Sequence, residues 1–185
     1  MTHFEFIAVF ISILLALGVS DVLNNWGDQI RRRDEIDHYW LHTAWGGMYL
    51  LAAIQAWWGL WRLRDRTEWT FGDNLILILP YMVLALVAYV LTPSSSGSQK
   101  DIREYYWRNS PWFFGLCATF LAALMINTRN IMDTPTFHYT NYIRTAGIAL
   151  MIALAVSRNE KFHKAAVLVA FLLLTLYIAR TQFSL

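Results

Sequence analysis

Asp21, Asn25 and Asp28 recur at helical spacing at the end of the first apolar stretch, on the face that also carries Leu14 and Gly18, and Arg32 follows Asp28 at i+4. If residues 4–26 cross a bilayer, the Asp21 carboxylate lies about one turn below its surface. A carboxylate at that depth attracts cations and can hold or pass a proton. His42 sits one turn inside the second apolar stretch from the same side, at similar depth, with His38 at i−4 on its face. His163 opens the sixth stretch on that side too. Imidazoles at i and i+4 near carboxylates have metal-ligand spacing, and a paired Asp and His have the parts of a proton relay. His42 and His163 are the pair that would clasp a haem. The same residues also serve as ordinary headgroup-level anchors, and Asp21 can be held by Ser20, Asn24 or an arginine. Anchoring is the simpler account, so no haem or metal is expected.

Four charged residues survive inside or beside apolar stretches: Asp21, Glu5, Arg144 and Arg129. Glu5 and Arg144 share a depth near the opposite surface. Their pairing would staple the first and fifth helices, with Glu5 alternatively resting in the headgroup layer. Gln55 is expected to make an interhelical hydrogen bond. Trp57, Trp58, Trp61 and Trp69 read as one aromatic belt, and Trp26, Trp40, Trp107 and Trp112 as the other. His3 and His138 fall in exposed segments. There is no glycine-rich phosphate loop, no Gly-x-Ser-x-Gly, no His-Glu-x-x-His and no lysine buried in an apolar stretch, so the chain does not read as an enzyme. No internal repeat of the transporter kind is evident.

These residues sit in a chain that is 57% hydrophobic and only 15% charged, against about 45–50% and about 25% in ordinary soluble domains. Nine Trp, nine Tyr and eleven Phe are too many for a water-facing surface to hide. The expectation is an all-α membrane protein, a compact bundle of about six transmembrane helices with short loops, forming one polytopic domain over residues 1–185. The net charge of +2 gives no reason to expect nucleic acid, and Cys117, the single cysteine, excludes a disulfide within the chain. No secretory signal pattern is read at the start.

The six spans are expected at about 4–26, 39–61, 74–92, 111–127, 142–157 and 165–181. Ser110 would cap the fourth, with Pro111 at its first helical position. Pro80 should kink the third. Residues 94–98 read as a flexible Ser/Gly loop, and residues 101–107 as a short amphipathic piece on the membrane surface. The last two spans are short, so Arg144 and Arg180 are expected to snorkel. Six spans place both termini on one side. The loops on the other side carry nine of the basic residues, against six on the terminal side, which favours non-cytoplasmic termini in a bacterial-type inner or plasma membrane.

Small residues recur every four positions at Ala8, Ser12, Ala16 and Ser20, at Gly115, Thr119, Ala123 and Asn127, at Thr145, Ala149, Ala153 and Ser157, and at Ala166 and Ala170. Such stripes let helix backbones approach in lipid, and packing within the chain is the expectation for each. The leading functional reading is a small homo-oligomeric channel or transporter-like protein, with the Asp21, Asn25 and Asp28 stripe lining a cation-attracting vestibule. The alternative is an accessory or scaffold subunit of a larger membrane complex, held by a partner subunit within the bilayer. A third is a haem- or metal-binding protein using His38, His42 and His163.

Overall fold

A computed structural model describes residues 2–93, 100–132 and 139–181. The chain folds as a bundle of six helices: α1 (His3–Arg31), α2 (Trp40–Gly59, continued by a 3-10 turn over Leu60–Leu63), α3 (Phe71–Leu91), α4 (Ile102–Ile131), α5 (Tyr139–Val156) and α6 (Glu160–Thr181). All but α2 are long and apolar enough to cross a membrane. α2 has 20 residues and no Asp, Glu, Lys or Arg side chain. It runs beside its neighbours through the same layer, from His42 against Leu91 to Ala56 against Tyr81. Phe6, Phe10, Leu17, Leu79, Leu86 and Leu172 are among many large apolar side chains left exposed on the outer surface, as lipid contact requires.

The helix starts are set locally. Thr2 and Glu5 form a reciprocal capping box at α1, and Thr70 and Asp73 form another at α3. Asp101 caps α4 by accepting from the Glu104 amide at 2.9 Å. This last cap overturns two expectations. Residues 101–107 are not a separate surface piece, and Pro111 does not open a helix. Ile102 and Tyr106 are buried in the bundle, and α4 runs straight through Pro111. Proline frees the carbonyl four residues before it, here that of Trp107. Ser110 Oγ donates to that oxygen at 3.2 Å, and Arg158 Nη1 donates to it as well. The interruption is therefore repaired, and Ser110 serves it from inside the helix rather than as an N-cap. Pro80 lies within α3, which likewise continues past it. α6 begins at Glu160, earlier than hydropathy suggests. The expected 94–98 loop and His138 lie outside the described residues.

The rotation of α1 and α2 is fixed by two reciprocal contacts. Gly18 faces the Tyr49 hydroxyl, so closely that an added Cβ would stand 1.9 Å from it. Gly46 faces Trp26, whose Nε1 would stand 2.9 Å from a Cβ there. α1 buries Ile7, Ile11, Leu15, Gly18 and Val22. The Ala8–Ser20 stripe therefore turns outward, with Ala16 and Ser20 exposed. On α5, Thr145, Ala149 and Ala153 are also exposed, while Gly147, Met151 and Leu154 face inward. Ala8 and Ser12 on α1 and Ser157 on α5 are half-buried, so each of these two stripes packs within the chain only in part. Ala166 and Ala170 on α6, and Ala123 and Asn127 on α4, are buried as expected.

Candidate functional site

The polar residues read from the sequence do not converge on one centre. Asp21 is half-buried on α1 and makes no hydrogen bond or ion pair among the described residues. Asn25 accepts from Gln29 Nε2 at 2.6 Å, and Asp28 pairs with Arg31 rather than with Arg32, which reaches Glu35. His42 is buried, and its Nε2 donates to the Leu91 carbonyl at 2.8 Å, tying α2 to the end of α3. His38 is exposed. His163 is wholly buried. Its Nε2 faces the Ser157 carbonyl at 3.1 Å and must donate to it, which leaves Nδ1 to accept from the Tyr106 hydroxyl at 2.7 Å. One neutral tautomer satisfies the whole ring. A metal or haem iron would have to displace Tyr106 or Ser157 from it. No cluster of three or more His, Cys, Asp or Glu side chains able to hold a metal ion occurs among the described residues.

The end of the bundle around His163 is closed by further polar contacts. Arg103 and Lys164 both pair with Glu160, at 2.6 and 2.9 Å, and Asp37 exchanges backbone hydrogen bonds with Lys100 and Ile102. Beside this network, burial pushes the Tyr39 hydroxyl above its ordinary range, and the Glu160 carboxylate adds to that. The Arg103–Glu160 pair joins α4 to α6, and the Asp37 bonds tie the chain after α1 to the start of α4.

The arrangement differs at the terminal end. Glu5 is used in the α1 capping box and does not meet Arg144. Arg144 does not snorkel either. It is only 7% exposed, and it lies one to two turns inside α5. Its Nη1 donates to Thr128 Oγ1 at 2.8 Å, and its Nη2 to the Tyr177 hydroxyl at 2.9 Å. The guanidinium carbon stands 5.5 Å from the centre of the Tyr177 ring. Thr128 is held in turn by donating to the Leu124 carbonyl at 3.0 Å. The staple made by Arg144 thus joins α4, α5 and α6, not α1 and α5. Thr128 and Tyr177 carry no sequence signal of this role, since each reads as one polar residue near a helix end.

Arginine remains protonated in a protein. Both acceptors of Arg144 are neutral, and no carboxylate pairs with it among the described residues. Two hydroxyls and a ring face offset only part of the hydration that a buried guanidinium gives up. The charge also borders a cavity of about 150 Å³ enclosed by α2, α3, α4, α5 and α6. Its walls are almost wholly apolar. Trp45, Phe113 and Ala170 lie toward one end, and Gln55, Arg144 and Tyr177 toward the other. Gln55 makes no side-chain hydrogen bond among the described residues, contrary to expectation, and it lines the cavity instead. From Trp45 to Gln55 is ten residues of helix, or about 15 Å. Several wall residues, including Met48, Ala52 and Leu174, are half-buried rather than buried, so the cavity is partly open. No family model, curated protein or solved structure matches the chain.

Proposed function

We propose that this integral membrane protein binds an elongated apolar molecule inside its helix bundle and acts as a carrier or receptor for it. The observation that carries this reading is the apolar cavity beside Arg144, lined along α2 from Trp45 to Gln55, as small-molecule sites are mostly apolar. Helix bundles in lipid otherwise close such spaces, because packing between helices is their main source of association energy. The role is binding rather than chemistry. No carboxylate or imidazole lines the cavity among the described residues to move a proton. The test compares dodecanol binding to the purified wild type and to Ala52→Phe, by native mass spectrometry from uncharged detergent. Filling the cavity should weaken binding at least about tenfold with unchanged melting. Wild-type protein that retains no dodecanol would sink the reading.

A second reading, a homo-oligomeric channel or transporter-like protein with a vestibule at Asp21, Asn25 and Asp28, is favoured by one observation. Asp21 is a half-buried carboxylate inside an apolar helix and has no hydrogen-bond or ion-pair partner among the described residues. Flux through reconstituted protein that falls in Asp21→Asn would support it, and a monomer without flux would remove it. Non-cytoplasmic termini and an inner or plasma membrane location rest on the charge count of the loops, and a membrane partner subunit remains the outcome if neither assay responds.

A further inference from the structure

We infer that the ligand is an anionic amphiphile, which sets one apolar chain in the cavity and presents a carboxylate or phosphate oxyanion to Arg144. This inference rests on the binding reading above and adds the chemical class of the ligand.

The geometry points to a negative head. Arg144 is a permanent cation, nine-tenths buried, and it is met by two neutral hydroxyls and no acid among the described residues. Of its five N–H donors, only two are spent on Thr128 and Tyr177. Its position is fixed from both sides, since those two hydroxyls belong to α4 and α6. An oxyanion arriving there meets a cation already held in place, and guanidinium groups suit carboxylate and phosphate. Gln55 also lines the cavity toward that end, and its side-chain amide carries two N–H donors. A neutral ligand would leave the charge uncompensated, and a cationic one would be repelled.

Depth and width point to the tail. The cavity runs about 15 Å along α2, roughly half of a ~30 Å hydrocarbon core, which is the depth of one leaflet. Its polar end lies toward the terminal surface, where headgroups lie, and its aromatic end at Trp45 and Phe113 lies deeper. A head at Arg144 with a tail along Leu121, Leu150 and Met151 therefore keeps the orientation of a molecule in the surrounding leaflet. A chain longer than the cavity can continue into lipid through the open wall. Apolar burial supplies affinity, and Arg144 supplies the choice of head.

The experiment titrates the full-length protein in uncharged detergent with dodecanoate, dodecyl phosphate, dodecanol and acetate, following occupancy by native mass spectrometry. Dodecanoate or dodecyl phosphate should bind at least about tenfold more tightly than dodecanol, and whichever of the two is tighter names the head. Acetate should bind far more weakly than either. Arg144→Gln should bring dodecanoate to the level of dodecanol while dodecanol binding is kept, and Arg144→Lys should recover part of the preference. Equal binding of dodecanoate and dodecanol by the wild type overturns the anionic head and leaves the cavity reading standing. Acetate binding as tightly as dodecanoate overturns the tail. Loss of all binding, dodecanol included, overturns both readings. If Arg144→Gln does not fold, the wild-type comparison of heads decides alone.

Discussion

His163 and Arg144 lie at opposite ends of the bundle, each nearly shut off from the outside and each bonded to a tyrosine hydroxyl. Their chemistry separates them. His163 can shed its charge, and as a neutral ring it gives one hydrogen bond and takes one. Arg144 cannot shed its charge, and its two hydroxyl partners do not neutralise it. At one end a neutral imidazole with both ring nitrogens paired ties α4 to α6. The other is an electrostatic deficit beside a cavity. The lesson is that burial and hydrogen bonding alone do not mark a site, and that a charge left without its opposite does.

The comparison breaks most readily at His163. His163→Leu leaves the Tyr106 hydroxyl and the Ser157 carbonyl unpaired, at about 1–3 kcal/mol for each group that finds no other partner. A large drop in the melting temperature is expected, with ligand binding at the far end retained once the protein is folded. A variant as stable as wild type would mean that the network is not what closes that end.

The contact that holds the two ends in register is next in size. Gly18→Ala drives a Cβ into the Tyr49 hydroxyl and should cost about 1–3 kcal/mol through overpacking. That hydroxyl is buried without a hydrogen-bond partner, so Tyr49→Phe by itself should be neutral or stabilising. In the double variant, Phe should recover part of the loss. Additive effects of the two changes, measured by thermal unfolding, would refute the contact.

At the other end, Arg144→Met should leave stability within about 1 kcal/mol of wild type or raise it, because it removes a charge whose burial is not compensated. A loss as large as that of His163→Leu would make Arg144 a structural group of the same kind and end the contrast. The smallest effect is expected at the surface pair. Arg103→Gln, with Arg103 60% and Glu160 31% exposed, should lower the melting temperature least of these variants, and less as salt is added. A larger, salt-independent loss would show that the Glu160 network reaches into the buried part of the bundle.

Much of the frame was legible in the residues. Apolar runs between charged loops located the helices, and Trp57, Trp58 and Trp61 of one expected belt and Trp40 and Trp112 of the other are exposed, while Trp26, Trp69 and Trp107 are half-buried. The candidate site was only half legible. Arg144 stood out as a charge in an apolar stretch, but depth alone matched it to Glu5, and depth says nothing of which helices adjoin. Thr128 and Tyr177 became its partners because α5 packs between α4 and α6. The start of α4 was misplaced because Pro111 is a strong helix-start signal locally. Its missing hydrogen bond is repaired by Arg158, which is 47 residues away. The small-residue stripes misled on α1 and α5 because large side chains, not small ones, were seated inward there.

By itself the sequence determined that this chain forms membrane-crossing helices, since a backbone in hydrocarbon must satisfy its own hydrogen bonds and the apolar runs have the length to do so. It also determined where charge enters the bilayer. Only the tertiary structure decided which neighbours that charge would meet. The rotation of each helix is set by contacts such as Tyr49 on Gly18 and Trp26 on Gly46. Those rotations turned Asp21 toward no partner, closed His163 within a network, and left Arg144 and Gln55 bordering a cavity. Helix periodicity lists what shares a face, and long-range packing alone selects what that face confronts.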